Sequence, residues 1–290
     1  MKVTLAKSSG FCFGVKRAID IAYKTISSYK NVYMLGDIVH NEEVAKQIEK
    51  SGIKKVRKLS KGKERVFLIR AHGAGIKLID KARRLGYKII DATCPMVKEI
   101  HKIAQDMEKK GYTIIIIGDK KHNEVLGIAG QLKNKAIIID ELRNIRLQAV
   151  KRIKKACVVV QSTQNLQKVM GIIEALKPHI KELKFFNTIC GPTRKKQEEI
   201  KKMPLENDVM IIIGSKTSAN TKRLYEISRS INKKSFWIQT KKDINLKWFR
   251  GAKYVGVTAG ASTPDQIIKE TVGYLNSYRK SNPRLCGSRL

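Results

Sequence analysis

Five cysteines offer this chain of 290 residues its most reactive side chains, and their spacing limits what they can do. They are Cys12, Cys94, Cys157, Cys190 and Cys286, so the smallest separation is the 33 residues from Cys157 to Cys190. No CxxC pair exists, which excludes a local zinc-ribbon or ferredoxin-type motif. Because the number is odd and the spacing is wide, a disulfide framework is not expected either.

Three of these cysteines begin an internal repeat. Cys12, Cys94 and Cys190 each stand where a predicted strand ends and a helix starts. A glycine follows each cysteine after 24 residues, and a histidine or serine follows after 28 residues: Gly36, Gly118 and Gly214, then His40, His122 and Ser218. Asparagine comes just after the latter positions, at Asn41, Asn123 and Asn220. A further strand in each unit ends in a polar loop, at Ala71-His72-Gly73, Gln161-Ser162-Thr163 and Ala261-Ser262-Thr263, which pairs His72 with Ser162.

Three thiolates from separate segments suit an iron–sulfur cluster in which three irons have protein ligands and the fourth stays open. An open iron is a Lewis acid that can bind substrate. The positive end of a helix dipole after each cysteine favours the thiolate. The alternative is three separately buried cysteines, since free cysteine is commonly buried. Cys157 lies in an apolar strand and is predicted to be a core residue, whereas Cys286 lies in a polar tail and is predicted to be incidental.

The polar loops of the repeat are suited to an anion. Histidine, hydroxyl and amide side chains beside backbone N–H groups at helix starts make a cradle that fits phosphate groups. The chain has neither a P-loop nor a GxGxxG motif, so a nucleotide is not indicated. Glu124 follows His122 by two residues in the same loop and is a candidate proton donor. Its alternative role is that of a first-turn helix charge.

Strands and amphipathic helices must alternate to position these loops. The predicted strands are Lys2–Ala6, Val32–Leu35, Arg65–Arg70, Tyr87–Ala92, Tyr112–Ile117, Lys135–Ile139, Ala156–Val160, Leu183–Asn187, Asp208–Ile213, Ser235–Ile238 and Tyr254–Thr258. Near-continuous apolar strands between amphipathic helices indicate parallel sheets that are covered on both faces, and hence an α/β fold. In such folds ligands bind beyond the carboxyl ends of the strands, where all the repeat residues fall.

The repeat also predicts the domain organisation. We expect three small α/β domains with mainly parallel sheets, at residues 12–93, 94–188 and 189–277, followed by a tail at 278–290. Residues 1–11 supply a strand that we expect to complete the sheet of the third domain. A pseudo-threefold arrangement of these domains would aim the three cysteines at one point.

The composition limits the class of protein. Hydrophobic residues make up 42% and charged residues 29%, which is typical of a chain that folds around a core. The net charge of +35 points toward nucleic acid, but lysine and arginine number 22, 20 and 18 in residues 1–100, 101–200 and 201–290. This even spread, with only 6% aromatic residues, is more typical of a solvated surface than of a nucleic-acid platform. No segment is long and apolar enough for a membrane span or a secretory signal, so a cytoplasmic location is expected.

Several longer motifs resemble one enzyme family. They are Gly10-Phe11-Cys12-Phe13-Gly14-Val15, Val39-His40-Asn41, Ala71-His72-Gly73, Asp91-Ala92-Thr93-Cys94-Pro95, Gly214-Ser215-Lys216-Thr217-Ser218-Ala219-Asn220-Thr221 and Val257-Thr258-Ala259-Gly260-Ala261-Ser262-Thr263-Pro264-Asp265. They look like the 4-hydroxy-3-methylbut-2-enyl diphosphate reductases, the last enzymes of the non-mevalonate isoprenoid pathway. The match runs in colinear order from about Met1 to Leu275.

The resemblance implies a trefoil of three α/β domains around a central [4Fe–4S] cluster held by Cys12, Cys94 and Cys190. It implies that the substrate hydroxyl binds the open iron and is removed reductively, which gives isopentenyl and dimethylallyl diphosphates. An external ferredoxin or flavodoxin would supply the electrons. The diphosphate-binding positions of the family are matched by His40, His72, His122, Ser218, Asn220 and Ser262, and its proton-delivery residue is matched by Glu124.

The sequence departs from the family pattern at a few positions. A threonine near the substrate hydroxyl is matched by Ser162, with Thr163 beside it, so a hydroxyl for proton relay is retained. Ala219 replaces a serine of the phosphate motif, which leaves only its backbone N–H group as a donor. Near the third ligand, Asn187 and Lys196 replace an aspartate and an arginine, so the surroundings of the cluster are expected to differ.

Two other functions remain open at this point. The first is a hydro-lyase that uses the open iron only as a Lewis acid, without electron transfer. The second is an RNA-binding protein that uses the net charge of +35, which would bind polynucleotide with a steep dependence on salt.

Overall fold

The computed structural model describes residues 1–62, 64–145 and 147–281 of the chain. The strands, in chain order, are β1 (Lys2–Leu5), β2 (Val32–Leu35), β3 (Lys54–Val56), β4 (Arg65–Ile69), β5 (Tyr87–Asp91), β6 (Thr113–Ile117), β7 (Ile137–Ile139), β8 (Lys155–Val160), β9 (Glu182–Phe185), β10 (Val209–Ile213), β11 (Ser235–Ile238) and β12 (Tyr254–Ala259).

Helices connect the strands. They are α1 (Phe13–Ser28), α2 (Glu42–Lys50), α3 (Ile76–Arg84), α4 (Pro95–Lys109), α5 (Asn123–Ala129), α6 (Leu147–Val150), α7 (Leu166–Leu176), α8 (Gly191–Glu206), α9 (Ala219–Ile231) and α10 (Asp265–Ser281). Short 3₁₀ helices lie at Leu142–Asn144, Lys177–His179, Lys241–Asp243 and Leu246–Phe249. None of the helices in the described ranges is long and apolar enough to cross a membrane.

In the described residues, the strands form three four-stranded sheets with one common topology. The orders are β3-β2-β4-β5, β7-β6-β8-β9 and β11-β10-β12-β1, and every pairing is parallel. In each sheet the first strand of the unit lies between the second and the third, and a fourth strand pairs with the third. The α/β class with parallel sheets is therefore confirmed.

The N-terminal strand completes the third sheet, as the sequence predicted. β1 pairs with β12 in parallel, with Lys2 opposite Tyr254 and Leu5 opposite Val257. It occupies the place that β5 and β9 occupy in the other two sheets. Each repeat cysteine therefore follows the fourth strand of a sheet.

The apolar strands are buried on both faces, which explains why their sequences do not alternate. On β6, Ile115 and Ile117 pack in one hydrophobic cluster, whereas Ile114 and Ile116 pack in another. On β8, Cys157 belongs to the second of these clusters and is fully buried, as predicted for a core residue. Helices on both sides of a parallel sheet require this pattern.

The chain forms two compact units. One contains residues 1–12, 40–44 and 191–290 and carries the sheet that ends in β1. The other contains residues 13–39 and 45–190 and carries the remaining two sheets. The division into three domains stays a prediction, although each expected domain has a sheet of its own. Cys286 lies outside the described residues, and α10 continues as far as Ser281.

One strand was not predicted. β3 pairs with β2 at the edge of its sheet, with Lys54 opposite Tyr33 and Val56 opposite Leu35. The sequence Lys54-Lys55-Val56 has only one apolar residue in three, so it shows no strand pattern. Such a composition is common on edge strands, where lysines face solvent. Every strand that was predicted is present, and the ends differ by at most two residues.

Candidate functional site

A backbone hydrogen bond fixes each of the three repeat cysteines in the same way. The N–H groups of Cys12, Cys94 and Cys190 donate to the carbonyl oxygens of Ala261, Ala71 and Ser162, at 3.2, 2.9 and 3.0 Å. A helix begins at the residue after each cysteine, namely α1, α4 and α8. Each thiol therefore stands at the positive end of a helix, beside the loop that follows the third strand of its sheet.

These hydrogen bonds correct one detail of the repeat. The acceptor residue lies two positions past the end of β4, β8 and β12 in every case, so Ala71, Ser162 and Ala261 are equivalent. The residues after them, His72, Thr163 and Ser262, are then also equivalent. The sequence pairing of His72 with Ser162 was wrong by one residue, because strand ends cannot be located that closely from composition.

The thiols differ in their surroundings. Cys12, Cys94 and Cys190 are half-buried, whereas Cys157 is buried, and none of these four forms a disulfide among the described residues. Burial raises the pKa of Cys157 to about 12, so this thiol stays protonated in the core. Partly exposed thiols at helix N-termini are chemically suited to act as thiolate ligands, and Cys157 is not.

Glu124 is a buried carboxyl with one polar neighbour. It lies in the first turn of α5, it is 3% exposed, and its oxygens accept the N–H group of Ser162 at 2.6 Å and the Oγ of Ser162 at 2.9 Å. Burial raises the pKa of Glu124, and the two hydrogen bonds from Ser162 oppose that shift. A carboxyl that holds its proton above the usual range can act as a general acid near neutral pH. The carbonyl oxygen of Ser162 also accepts the N–H of Cys190. Ser162 therefore links Glu124, the candidate proton donor, to Cys190, a candidate ligand.

Two candidate histidines meet in the same unit. The rings of His72 and His122 lie 5.5 Å apart in an edge-to-face arrangement. His122 also caps α5, where its Nδ1 accepts the N–H of Glu124 at 3.2 Å. The ring of His101 lies against Gly73, and burial lowers the pKa of His101 to about 4, so this side chain is neutral. His101 is thus a buried side chain of α4.

The start of α9 carries an unpartnered amide. The Oγ of Ser218 caps this helix by accepting the N–H of Thr221 at 3.3 Å. Asn220 is 4% exposed, yet neither its Nδ2 nor its Oδ1 has a hydrogen-bond partner among the described residues. Because buried polar groups are normally paired, an orphaned amide at a helix N-terminus indicates a place for an anionic ligand. Ala219 is buried in the same turn.

The segment from residue 40 to residue 44 adds further polar groups to this unit. The Oγ of Ser262 donates to the carbonyl oxygen of His40 at 2.8 Å. The Oδ1 of Asn41 accepts two N–H groups of α2, at 3.1 Å each, and so caps that helix. Glu42 accepts the Oγ of Ser215 at 2.8 Å, which ties the loop before Ser218 to the start of α2. The role of Glu42 was not predicted, since the contact joins residues 173 positions apart.

α8 also carries a buried lysine that the sequence singled out only as a departure. Lys196 is 3% exposed, and its Nζ donates to carbonyl oxygens of Ser8, Gly10 and Ala259. Burial lowers the pKa of Lys196 to about 8, and the nearby Cys12 thiol and Glu199 oppose that shift. The side chain is therefore an ammonium at neutral pH, close to a ligand candidate.

The chain is similar to known proteins over nearly its whole length. The profile of the LytB protein family matches residues 3–276. The chain belongs to the LytB family. LytB proteins named 4-hydroxy-3-methylbut-2-enyl diphosphate reductase are similar over nearly the whole chain. The protein of Caldanaerobacter subterraneus subsp. tengcongensis is 39% identical over 286 residues, which cover 96% of this chain and 98% of that one. The protein of Aquifex aeolicus is 39% identical over 276 residues, 92% and 93% of the two chains.

Solved structures of LytB proteins have the same fold. A structure of (E)-4-hydroxy-3-methyl-but-2-enyl diphosphate reductase is 37% identical, with a TM-score of 0.69 over 95% of this chain and 99% of that chain. The E-1-hydroxy-2-methyl-but-2-enyl-4-diphosphate reductase from Plasmodium falciparum is 29% identical, with a TM-score of 0.85 over 98% and 89%. The family expected from the motifs is thereby confirmed.

Proposed function

We propose that this LytB protein is a 4-hydroxy-3-methylbut-2-enyl diphosphate reductase, an oxidoreductase of isoprenoid precursor biosynthesis. The observation that carries this proposal is the colinear match to relatives of that name over 96% of the chain. In the reaction the allylic C–O bond breaks, and two electrons and two protons are taken up. The hydroxyl leaves as water, and isopentenyl and dimethylallyl diphosphates are formed.

Cys12, Cys94 and Cys190 are the proposed ligands of a [4Fe–4S] cluster at the centre of a trefoil of three domains. The donor set fits this group, because all three thiols are half-buried and each stands directly before the start of a helix. When bound, the cluster supplies electrons and an open iron that acts as a Lewis acid toward the substrate hydroxyl. The dipoles of α1, α4 and α8 stabilise the thiolates and offset negative charge.

The proposed diphosphate cradle consists of polar side chains and N–H groups at helix starts: His40, His72, His122, Ser218, Ala219 through its N–H, Asn220 and Ser262. The unpartnered amide of Asn220 supports this assignment, since a phosphate oxygen would accept from its Nδ2. His122 and Ser218 cap α5 and α9, so each of these two residues lies at a helix N-terminus, where backbone N–H groups favour an anion.

Glu124 is the proposed source of the proton that turns the hydroxyl into water. Its carboxyl is buried, its pKa is raised, and the Oγ of Ser162 lies 2.9 Å from it. Ser162 can pass a proton between Glu124 and the substrate, with Thr163 as the next hydroxyl along the chain. The Oγ1 of Thr163 accepts from Gln161 at 3.0 Å, which leaves its own proton available for donation.

The proposed partners are the allylic diphosphate and a ferredoxin or flavodoxin in the cytoplasm. No nucleic acid and no membrane belong to the proposed function. The net charge of +35 supports both partners, because the substrate is anionic and small electron carriers are commonly acidic.

The ligand assignment is tested by iron and sulfide analysis after anaerobic purification. The wild type is expected to be brown and to carry iron and sulfide in equal amounts. Cys94→Ser is expected to lose most of the iron, whereas the control Cys157→Ala should keep it, because Cys157 lies in the core of its sheet. A colourless wild-type protein with stoichiometric zinc would contradict the assignment.

The reaction is tested by counting electrons. Under anaerobic conditions, with reduced viologen as donor, two electrons should be consumed for every molecule of allylic diphosphate that is converted. Turnover without consumption of reductant would instead identify a hydro-lyase. Salt-sensitive polynucleotide binding that Cys94→Ser leaves intact, together with no turnover, would favour an RNA-binding protein.

A further inference from the structure

Two charged side chains of α8 hold the segment that leads into Cys12. Lys196 and Glu199 lie three residues apart on this helix and thus share one face. The Nζ of Lys196 donates to the carbonyl oxygens of Ser8, of Gly10 at 3.1 Å and of Ala259 at 3.2 Å. Since a neutral amine has only two N–H groups, three acceptors require the ammonium form.

Glu199 binds the donor groups of the same segment, as Lys196 binds its acceptor groups. Its carboxylate accepts the N–H of Lys7 at 2.6 Å, the N–H of Ser8 at 3.0 Å and the Oγ of Ser8. The backbone of Ser8 is therefore held at its N–H by Glu199 and at its carbonyl by Lys196. We call Lys196 and Glu199 the α8 clamp.

The segment that is clamped has no regular structure of its own. It leaves β1 at Leu5 and reaches Cys12 through Gly10, whose φ of +85° is open only to glycine at low cost. A Cβ at Gly10 would also lie 2.9 Å from the Oδ1 of Asp265. The path to Cys12 is thus fixed by specific contacts rather than by a strand or a helix.

The ammonium of Lys196 is buried, although neutral side chains can also donate to carbonyl groups. Removing a charge from water is costly, and a neutral side-chain amide could donate to two of these carbonyl groups without that cost. Lys196 is 3% exposed, and its Nζ lies 3.1 Å from the carbonyl oxygen of Gly10, which precedes Cys12 by two residues. A fixed positive charge at this place lowers the energy of added negative charge nearby.

We propose that the α8 clamp positions Cys12 and that the ammonium of Lys196 favours the reduced state of the cluster bound there. The second part rests on the proposed function, whereas the first part does not. Both side chains are positioning residues, because neither is placed against the substrate.

α8 provides its own matched controls. Lys195 and Glu198 have the same charges and the same spacing on the same helix, but both are exposed to solvent. Lys195→Met and Glu198→Gln therefore change the net charge and the helix propensity as Lys196→Met and Glu199→Gln do, without touching the clamp.

The positioning part is tested on cluster-free protein by hydrogen exchange of the backbone amides from Lys7 to Cys12. Lys196→Met and Glu199→Gln should each accelerate exchange of these amides by about tenfold or more, because their local opening becomes easier. The amides of β6 serve as an internal reference and should not change. Equal exchange in the clamp variants and the control variants would overturn this part.

The electrostatic part is tested by redox titration of the loaded protein, followed by EPR or absorbance. At a fixed potential of the medium, Lys196→Met should lower the ratio of reduced to oxidised cluster about tenfold, which for a one-electron step corresponds to ~59 mV. Lys196→Arg should restore the ratio because it restores the charge. Glu199→Gln should raise the ratio, since it removes a negative charge.

The opposite signs separate this role from a merely structural one. If the clamp acted only by holding the chain, Lys196→Met and Glu199→Gln would shift the ratio in the same direction, which would overturn the electrostatic part. If the wild type held no cluster, the proposed function would fail, while the exchange experiment would still decide whether the clamp positions Cys12.

Discussion

At the scale of single residues, the surroundings of Glu124 suit the proton-donor role that we propose for it. Its burial disfavours the carboxylate, and only the N–H and Oγ of Ser162 compensate for that burial. Within the described part of the chain, no lysine or arginine contributes to the pKa shift of Glu124, although the sequence carries 60 of them. The acid is thus kept apart from the cationic surface, which keeps its pKa raised.

Glu124→Gln is expected to keep the fold, the iron content and substrate binding but to lose most turnover. The amide is of similar size and can still accept the N–H of Ser162, yet it has no acidic proton to give. Loss of a general acid typically lowers kcat by about 10²- to 10⁴-fold. Steady-state kinetics with reduced viologen measures this, with exposed Glu206→Gln as the control. Full activity of Glu124→Gln would remove the proton-donor role.

The same carboxyl predicts a pH dependence of stability. A carboxyl whose folded pKa is raised binds its proton more tightly in the native state, so folding loses stability as pH rises above the ordinary value of 4.5. Glu124→Gln lacks this loss. In thermal unfolding of cluster-free protein, the stability of Glu124→Gln relative to the wild type should therefore increase between about pH 5 and pH 8. This interval begins just above the ordinary pKa. A constant difference across this interval would show that Glu124 is ionised in the folded protein.

At the scale of elements, one bond pattern recurs in all three sheets. The N–H of each repeat cysteine donates to the loop after the third strand, at Ala71, Ser162 and Ala261. The equal offsets from the cysteines to Gly36, Gly118 and Gly214 predicted that the units repeat, whereas this hydrogen bond was not predicted. The prediction placed the loop after β8 one residue out of register. The reason is that the offsets from the cysteines to the third strands are unequal in the three units.

What the sequence could not supply is contact between distant residues. β3 has a single apolar residue, and an edge strand needs little hydrophobicity. Glu42 meets Ser215 from 173 positions away, and Glu199 meets Ser8 from 191 positions away. Such charged residues are indistinguishable in sequence from those of a solvated surface. The proposed ligand and cradle residues could be singled out because cysteine, glycine and histidine or serine recur at equal offsets in the repeat.

The contact between α3 and α5 gives a prediction at this scale. Gly75, just before α3, faces Gly130 at the end of α5, and a Cβ on Gly75 would lie 2.9 Å from the Cα of Gly130. Because the obstacle is backbone, the two elements must separate, and Gly75→Ala should cost about 1–3 kcal/mol of unfolding free energy. Chemical denaturation measures this.

Gly171 provides the matched control for that substitution. It lies inside α7, and a Cβ there would meet nothing within 4 Å. Gly171→Ala should therefore raise the unfolding free energy by about 0.5–1 kcal/mol, as alanine does at an open helical position. If both alanines stabilised the protein, the close approach of α3 and α5 would be refuted.

At the scale of the whole molecule, the net charge of +35 is spread over the chain as evenly as the repeats are. Most of these charges are lysines and arginines on the surface, and several are paired there, such as Lys55 with Asp37 and Lys98 with Asp91. Exposed pairs of this kind contribute little to stability. The excess of positive charge is more important as a long-range field that acts on anions in solution.

This field predicts that salt slows capture of the diphosphate substrate. Raising the ionic strength from about 0.01 to 0.15 M shortens the Debye length from about 30 to 8 Å, which screens the distant lysines. We expect kcat/KM to fall several-fold while kcat changes little, because steering acts on encounter and not on the bound complex. Steady-state kinetics with reduced methyl viologen measures both constants without an anionic electron donor. If kcat/KM were independent of salt, the charge would have no part in substrate capture, and only groups in the cradle would attract the diphosphate.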